Sequence, residues 1–264
     1  MLITLDVGNT NINFSIVHDG DAPVIGHAPT PKADVAAEID RWMPALLDEA
    51  PAGVAPKFDF VIASVVPAVT AAIKDNATRR GIEVLIADSS TIPIDIRVES
   101  PRDVGNDRLV NAYAALRIHG APAIVVDLGT ATTFDVVDVE GAFIGGAIAA
   151  GAGLGLDALV RGTAQLPPVP LVMPQFAIGR DTVEAMQSGA VIGHSGLVLV
   201  LIRAITEQLT IDGGPKPRVI LTGGLSSTEW AQSIPGVDVI DPFLTLEGLA
   251  RLYNEVGQVA SVNA

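Results

Sequence analysis

Cysteine is missing from this chain of 264 residues. Its absence excludes a disulfide framework, zinc–thiolate and iron–sulfur sites, and a cysteine nucleophile. A chain without cysteine also fits a reducing compartment, so we expect a cytoplasmic protein.

Positive charge is scarce as well: 16 lysines and arginines stand against 30 aspartates and glutamates, for a net charge of −14. We therefore expect no binding to nucleic acid, whose phosphates need basic patches, and none to an anionic membrane surface. A phosphorylated ligand would have to be held by backbone N–H groups, helix N-termini or metal ions.

Long hydrophobic runs suited to a membrane are lacking, although the mean hydropathy is +0.45. The two longest stretches without charged residues, 162–179 and 185–202, contain 18 residues each. The first holds four prolines and the second holds Gln187, Ser188 and His194, so neither suits a spanning helix of about 20 apolar residues. We expect a soluble protein whose apolar excess lies in its core and in a subunit interface.

Two familiar nucleotide-binding loops are also missing. No lysine follows a glycine-rich loop, so a P-loop is excluded. Gly151-Ala-Gly-Leu-Gly-Leu156 resembles a dinucleotide loop, but Leu156 stands where its last glycine should be. We therefore expect no NAD site.

The chain does contain an internal repeat. Residues 3–16 match residues 124–137 at an offset of 121, with Asp6 opposite Asp127 and Gly8 opposite Gly129. In each copy a β-rich run ends in an Asp-x-Gly turn and returns as a second strand, which predicts a hairpin. The repeat predicts two domains, residues 1–118 and 119–264, in an α/β fold with mixed sheets flanked by helices.

Helical periodicity marks three further segments, at residues 31–47, 107–117 and 182–209. The third follows Asp181, with Glu184 as the partner of a capping box, and it contains a break near Gly193 or Gly196. Its apolar face is either core or dimer interface. We expect Asp135 and Asp138 to be solvent-exposed hairpin residues.

The repeated turns are the first candidates for chemistry. Asp6 suits hydrated Mg²⁺, which prefers a carboxylate together with water and phosphate oxygens. Such a turn can also reflect hairpin geometry alone, but two of them facing each other would hold a phosphate chain. Thr222-Gly-Gly224 could pack a flat base on bare backbone, although a plain turn explains it at least as well.

A set of motifs occurs in a fixed order along the chain: Asp6-x-Gly-Asn-Thr-Asn11, Gly105-Asn-Asp-Arg108, Asp127-x-Gly-Thr-Ala-Thr-Thr133, Gly145-Gly-Ala-Ile148, Thr163-Ala-Gln-Leu-Pro167, Gly179-Arg-Asp-Thr182, Thr222-Gly-Gly224 and residues 241–249. This ordered set resembles the type III pantothenate kinases, bacterial enzymes that begin coenzyme A synthesis. The resemblance implies two duplicated actin-like (ribonuclease H-like) domains with ATP between them, a homodimer, Mg²⁺ and a monovalent cation, K⁺ or NH₄⁺.

The resemblance also implies residue roles. Asp107 would accept the proton of the pantothenate hydroxyl, Asp127 would bind the monovalent cation, and Asp6 would lie near Mg²⁺. ATP would contact Asp6, Val7, Gly8, Asn9, Thr10, Asn11, Ile12, Asn13, Thr130, Gly223 and Gly224. Pantothenate would contact Gly105, Asn106, Asp107, Arg108 and Thr182.

The sequence departs from the family pattern at three places. Asn106 replaces an alanine, Ala150 replaces a proline, and residues 96–100 around Val98 lack a substrate-facing tyrosine. Two alternatives therefore stay open: a catalytically weak nucleotide-binding accessory or regulatory protein of the same fold, and a kinase of another small alcohol.

Overall fold

The computed structural model describes residues 1–18, 22–48 and 59–262, and side chains only as far as residue 256. Its elements, in chain order, are β1 (Leu2–Val7), β2 (Asn11–Val17), β3 (Val24–Pro29), α1 (Val35–Asp48), β4 (Asp59–Ser64), α2 (Pro67–Arg79), β5 (Glu83–Ile86), α3 (Asn106–Ala114), β6 (Ala123–Leu128), β7 (Ala131–Val137), β8 (Phe143–Ala150), α4 (Ala152–Gly162), α5 (Thr182–Gln187), α6 (Gly193–Thr210), β9 (Arg218–Thr222), α7 (Glu229–Gln232), β10 (Val239–Ile240) and α8 (Leu244–Val262).

The predicted α/β fold with two mixed sheets is confirmed. The first sheet has the order β3-β2-β1-β4-β5 and the second β10-β9-β6-β7-β8. In each, the strand that ends in the Asp-x-Gly turn pairs antiparallel with the strand after the turn and parallel with a later strand. The same topology therefore occurs twice, as the repeat requires.

The offset of 121 residues between the two copies of the repeat is wrong beyond the Asp-x-Gly turn. Asp6 pairs with Asn13, whereas Asp127 pairs with Thr133, so the second turn is one residue shorter. Because side chains alternate along a strand, a slip of one residue would exchange its two faces. The shorter turn keeps Phe14 and Phe134 as buried equivalents, at an offset of 120.

The chain separates into two compact units. The first comprises Met1–Pro93, Ser100–Ala114 and Thr245–Ala264, and the second comprises Ile94–Glu99 and Ala115–Leu244. These units differ from the contiguous ranges 1–118 and 119–264, because α8 packs with the first unit. Thr245 Oγ1 donates to Asn111 Oδ1 at 2.6 Å, and Tyr253 Oη donates to Asp59 Oδ2 at 2.5 Å.

The core of the first unit lies between its sheet and the helices α1 and α2. Ile39, Met43 and Leu46 on α1 are buried, at the helical spacing that predicts residues 31–47 as a helix. They pack with the apolar side chains of the sheet. Each such buried side chain stabilises the fold by about 1.5–3 kcal/mol relative to an exposed one.

The predicted helix over residues 182–209 is interrupted by one π-helical turn, Ser188–Ile192, just before Gly193. The cap is confirmed, since Glu184 N–H donates to Asp181 Oδ1 at 2.8 Å. A π-turn adds a residue to the helical repeat and so shifts the apolar face. Beyond the π-turn, Val198 and Ile202 are buried in the second core.

The same stretch is long and apolar enough to cross a membrane by length and composition alone, with a mean hydropathy of 1.7 and 22% of its best window buried. Val183, Ile192 and Val200 are among its exposed apolar side chains, and Val200 is 62% exposed. Much of its apolar surface is therefore uncovered within the single chain.

Asp135 corrects a sequence expectation. It is fully buried on β7 rather than solvent-exposed, and it accepts a hydrogen bond from Thr133 Oγ1 at 3.4 Å. Asp138 is partly buried and accepts from the N–H groups of Glu140 and Ala142, both at 2.9 Å. Strand pairing places Asp135 between β6 and β8, which periodicity could not reveal.

Candidate active site

The first Asp-x-Gly turn lies between the end of β1 and the start of β2. Asn13 Nδ2 donates to Asp6 Oδ2 at 3.1 Å, and the N–H of Gly8 donates to the carbonyl of Asn11 at 3.0 Å. Thr10 and Asn11 are exposed at the tip. The turn therefore presents a carboxylate, amides and a hydroxyl without a cationic side chain.

Sequence reasoning missed Thr30, which holds this turn from the end of β3. Its Oγ1 donates to the carbonyl of Gly8 at 2.7 Å, and its N–H donates to the carbonyl of Thr10 at 2.9 Å. The side chain is 6% exposed. Its only sequence signal is a threonine before a proline, which is too common to be informative.

The second group of predicted residues lies at the start of α3. Asn106 Nδ2 donates to the carbonyl of Ser64, at the end of β4, at 3.4 Å. The side chain that departs from the family pattern therefore attaches α3 to the sheet. The N–H of Arg108 donates to Asp107 Oδ1 at 2.8 Å.

Burial raises the pKa of the Asp107 carboxyl, and this effect outweighs the hydrogen bond from the Arg108 N–H and the Arg108 charge, which lower the pKa. A carboxylate with a raised pKa is a stronger base than an exposed aspartate. The position of Asp107 in the first turn of α3 suits a negative charge, because the N-terminus of a helix is positive.

Strand pairing brings these two groups to the same edge of the first sheet. β1 and β4 are parallel neighbours, with Val7 opposite Ser64, and the Val65 N–H donates to the carbonyl of Val7 at 3.1 Å. The Asp6 turn follows β1, and α3 attaches to the end of β4. Ligands of open α/β sheets bind at the carboxyl ends of such strands.

The second unit gathers its own predicted residues in the same way. Asp127 lies one residue before the end of β6, and Thr130 is exposed in the turn that follows. Gly223 has a φ of +89°, and a Cβ there would lie 2.2 Å from Asp127 Oδ1. Gly224 has open space where a Cβ would be. The Gly-Gly turn thus packs on the Asp127 turn through Gly223 and leaves Gly224 accessible.

Thr182 is the first residue of α5, directly after the cap residue Asp181, and it is exposed. It belongs to the second unit, whereas the other predicted pantothenate residues, Gly105 to Arg108, belong to the first.

The donor set fits cations that also bind phosphate. In the described part of the chain, no three Asp, Glu or His side chains form a group that could enclose a metal ion. Asp6 and Asp127 instead offer single carboxylates beside turns. Mg²⁺ is commonly held in this way, by one or two carboxylates, phosphate oxygens and water.

Comparisons with known proteins agree with this arrangement. The family model described as type III pantothenate kinase matches residues 2–204. Proteins named type III pantothenate kinase are similar over nearly the whole chain. One from Gluconobacter oxydans is 41% identical, covering 96% of this chain and 92% of its own length, and one from Rhodospirillum rubrum is 40% identical, covering 96% and 98%.

Solved structures share the fold. A protein from Campylobacter jejuni described as a Baf family transcriptional activator superposes with a TM-score of 0.61 at 17% identity, covering 97% of this chain and 99% of its own. MreB 5 of Spiroplasma citri bound to AMPPNP superposes with a TM-score of 0.52 at 13% sequence identity, covering 99% of this chain and 98% of its own.

The family match and the identities near 40% over almost the full length agree with the ordered motifs and the duplicated sheets, and this chain therefore belongs to the type III pantothenate kinase family.

Proposed function

We propose that this protein transfers the γ-phosphoryl group of ATP to pantothenate, forming 4′-phosphopantothenate in the first step of coenzyme A synthesis. The observation that carries the proposal is Asp107. Its partly buried carboxyl has a raised pKa, and it lies at the edge of the sheet where the Asp6 turn ends β1.

The proposed mechanism begins with the acceptor. Asp107 accepts a hydrogen bond from the primary hydroxyl of pantothenate and takes its proton as the new P–O bond forms. Arg108 offers a planar fork that suits the carboxylate or a carbonyl of pantothenate. Gly105 and Asn106 are proposed to contact pantothenate beside Asp107, and Thr182 is proposed as a further pantothenate contact.

The nucleotide is proposed to contact residues 6–13, Thr130, Gly223 and Gly224. Phosphoryl transfer depends mainly on in-line placement and charge neutralisation. Bound Mg²⁺ near Asp6 and K⁺ or NH₄⁺ at Asp127 would supply the positive charge that these turns lack. Asn13 orients the Asp6 carboxylate through its hydrogen bond, and Thr30 fixes the turn beneath it.

An ADP-release assay with ATP, Mg²⁺, K⁺ and pantothenate tests the proposal. We expect turnover by the wild type, and a loss of about 10²–10⁴-fold in Asp107→Asn, which removes only the base. Asp75→Asn, an exposed aspartate on α2, is the matched control and should retain full activity. Replacing K⁺ with Na⁺ should lower the rate, and Asp127→Asn should abolish that difference.

Other outcomes would overturn the proposal. Full activity in Asp107→Asn would remove the assigned base. Nucleotide binding without phosphorylation of any acceptor would indicate an accessory or regulatory protein. Turnover of a different small alcohol in a panel of acceptors, with none of pantothenate, would keep the kinase and change its substrate.

We also propose that the protein is a cytoplasmic homodimer. The exposed apolar side chains of α5, α6 and the π-turn between them support an interface, since large apolar patches on soluble proteins mark contact surfaces.

A further inference from the structure

One short segment of the chain leaves the first unit and adds to the edge of the second sheet. Residues Ile94–Glu99 belong to the second unit, although the residues on both sides of them belong to the first. Ile96 forms a parallel bridge with Phe143, the first residue of β8. The Arg97 N–H donates to the carbonyl of Phe143, and the Phe143 N–H donates to the carbonyl of Asp95, both at 2.8 Å.

The Arg97 guanidinium holds this segment to the turn between β7 and β8. Its Nε donates to Asp95 Oδ2 at 2.7 Å. One terminal nitrogen donates to Glu140 Oε2 at 2.6 Å and to Asp138 Oδ2 at 3.3 Å. We call these four residues the Arg97 cluster.

The turn between β7 and β8, to which Arg97 is paired, is held by its own hydrogen bonds. The Asp138 carboxylate accepts the N–H groups of Glu140 and Ala142, and the Gly141 N–H donates to the carbonyl of Asp138 at 3.0 Å. Asp138 is the most buried acid of the cluster, with 19% of its side chain exposed. Arg97 is therefore attached to a rigid part of the second sheet.

The attached segment leads directly into the loop that carries Asp107. At Ser100 the chain re-enters the first unit, forms a short 3₁₀ turn at Pro101–Asp103 and begins α3 at Asn106. The Asp103 N–H donates to the carbonyl of Ser100 at 3.1 Å. The segment that Arg97 holds on β8 is therefore joined through the backbone, by the short stretch from Glu99 to Gly105, to the start of α3.

We propose that Arg97 is a positioning residue of the acceptor site. Its ion pairs keep residues 94–99 on β8 and so restrict the positions that the Asp107 loop can take. The proposal rests on the function proposed above. Such restriction matters for rate, because a misplacement of about 1 Å can cost roughly 10²-fold. It matters little for stability, because exposed ion pairs contribute little to the free energy of unfolding.

Steady-state kinetics of Arg97→Ala test the proposal. We expect kcat/KM for pantothenate to fall about threefold to fivefold, through a higher KM and a lower kcat, in keeping with the modest strength of exposed ion pairs. KM for ATP and the thermal midpoint should stay close to those of the wild type. Arg41→Ala is the matched control, because Arg41 is also exposed and pairs with Glu38 at 2.7 Å; it should change none of these values.

A charge exchange separates positioning from a general structural role. Arg97→Glu should be more impaired than Arg97→Ala, because it adds a negative charge beside three acids, and the double variant Arg97→Glu, Glu140→Arg should recover part of the lost kcat/KM. A fall in kcat with both KM values unchanged and a lower thermal midpoint would indicate loss of folded enzyme, and it would overturn the proposal.

Hydrogen exchange provides a readout that does not depend on the substrate. The amides of residues 100–109 should exchange faster in Arg97→Ala than in the wild type and in Arg41→Ala. If the wild type does not phosphorylate pantothenate but these amides respond, the proposed function fails and only the restraint of the Asp107 loop by Arg97 stands. If they do not respond while the wild type is active, the positioning role alone is refuted.

Discussion

At the scale of single residues, the chemistry depends on how Asp107 is protonated. Burial raises the pKa of Asp107 above the ordinary 3.8, whereas the Arg108 charge lowers it. The motif Gly105-Asn-Asp-Arg108 placed a base and a cation next to each other in the sequence. Only the tertiary structure sets the burial that decides the direction of the shift.

The pH dependence of kcat follows from this balance. A base works when deprotonated, so activity should fall as the pH drops through the raised pKa of Asp107, that is, at a pH above 3.8. Arg108→Gln removes the charge that lowers the pKa, and the acidic limb of the kcat profile, measured at saturating pantothenate, should move to higher pH. Arg102→Gln, an exposed control, should leave the limb in place, and an unmoved limb in Arg108→Gln would contradict the assignment.

The two glycines after β9 make another prediction at this scale. Gly223→Ala should destabilise the protein by about 1–3 kcal/mol, because it forces a positive φ on a residue with a Cβ and directs that Cβ at the Asp127 carboxylate. Gly224→Ala meets open space and should leave the thermal midpoint nearly unchanged, while KM for ATP rises. Equal midpoints for the two variants would show that the contact of Gly223 with Asp127 is unimportant.

At the scale of elements, helix α8 illustrates what sequence order conceals. It follows the second sheet in the chain but packs with the first unit, through Thr245 and Tyr253. The hydrogen bond to Asp59, together with burial and the negative charges of Asp59 and Glu83, raises the pKa of the Tyr253 hydroxyl to about 12.

This raised pKa predicts an alkaline loss of stability. The contribution of the Tyr253 hydroxyl is complete below its unfolded pKa of about 10 and disappears as the pH rises through about 12. Tyr253→Phe should therefore be less stable than the wild type at pH 8, with the difference shrinking between pH 10 and 12. Denaturant unfolding at several pH values measures this, and a constant difference would contradict it.

At the scale of the whole molecule, the apolar face of α6 accounts for part of the high mean hydropathy. Val200→Glu should convert the proposed dimer to a monomer, because it places a charge in an apolar interface. Sedimentation velocity measures the change. Val139→Glu is a matched control, since both valines are 62% exposed; dissociation by both variants, or by neither, would argue against an α6 interface.

Sequence reasoning reached the fold class, the two Asp-x-Gly hairpins, the Asp181 cap and the helix that begins beside Asp107, because each depends on local spacing or local hydrogen bonds. It missed Thr30, because that residue contacts the Gly8 turn only once the strands have paired, through a hydrogen bond to the carbonyl of Gly8. It misplaced Asp135, because burial on β7 depends on neighbouring strands. The only sequence feature that indicated the π-turn at Ser188–Ile192 was the presence of glycines nearby.

The sequence by itself determined the duplicated topology and the chemical types at the turns, since alternation, turn residues and charge are properties of neighbouring residues. The tertiary structure decided which parts share a unit, how far the second turn is shortened, and where Ile94–Glu99 and α8 pack. Those outcomes depend on contacts between residues far apart in the chain. Such contacts stabilise the protein only after folding has brought the two segments together and buried their apolar surface.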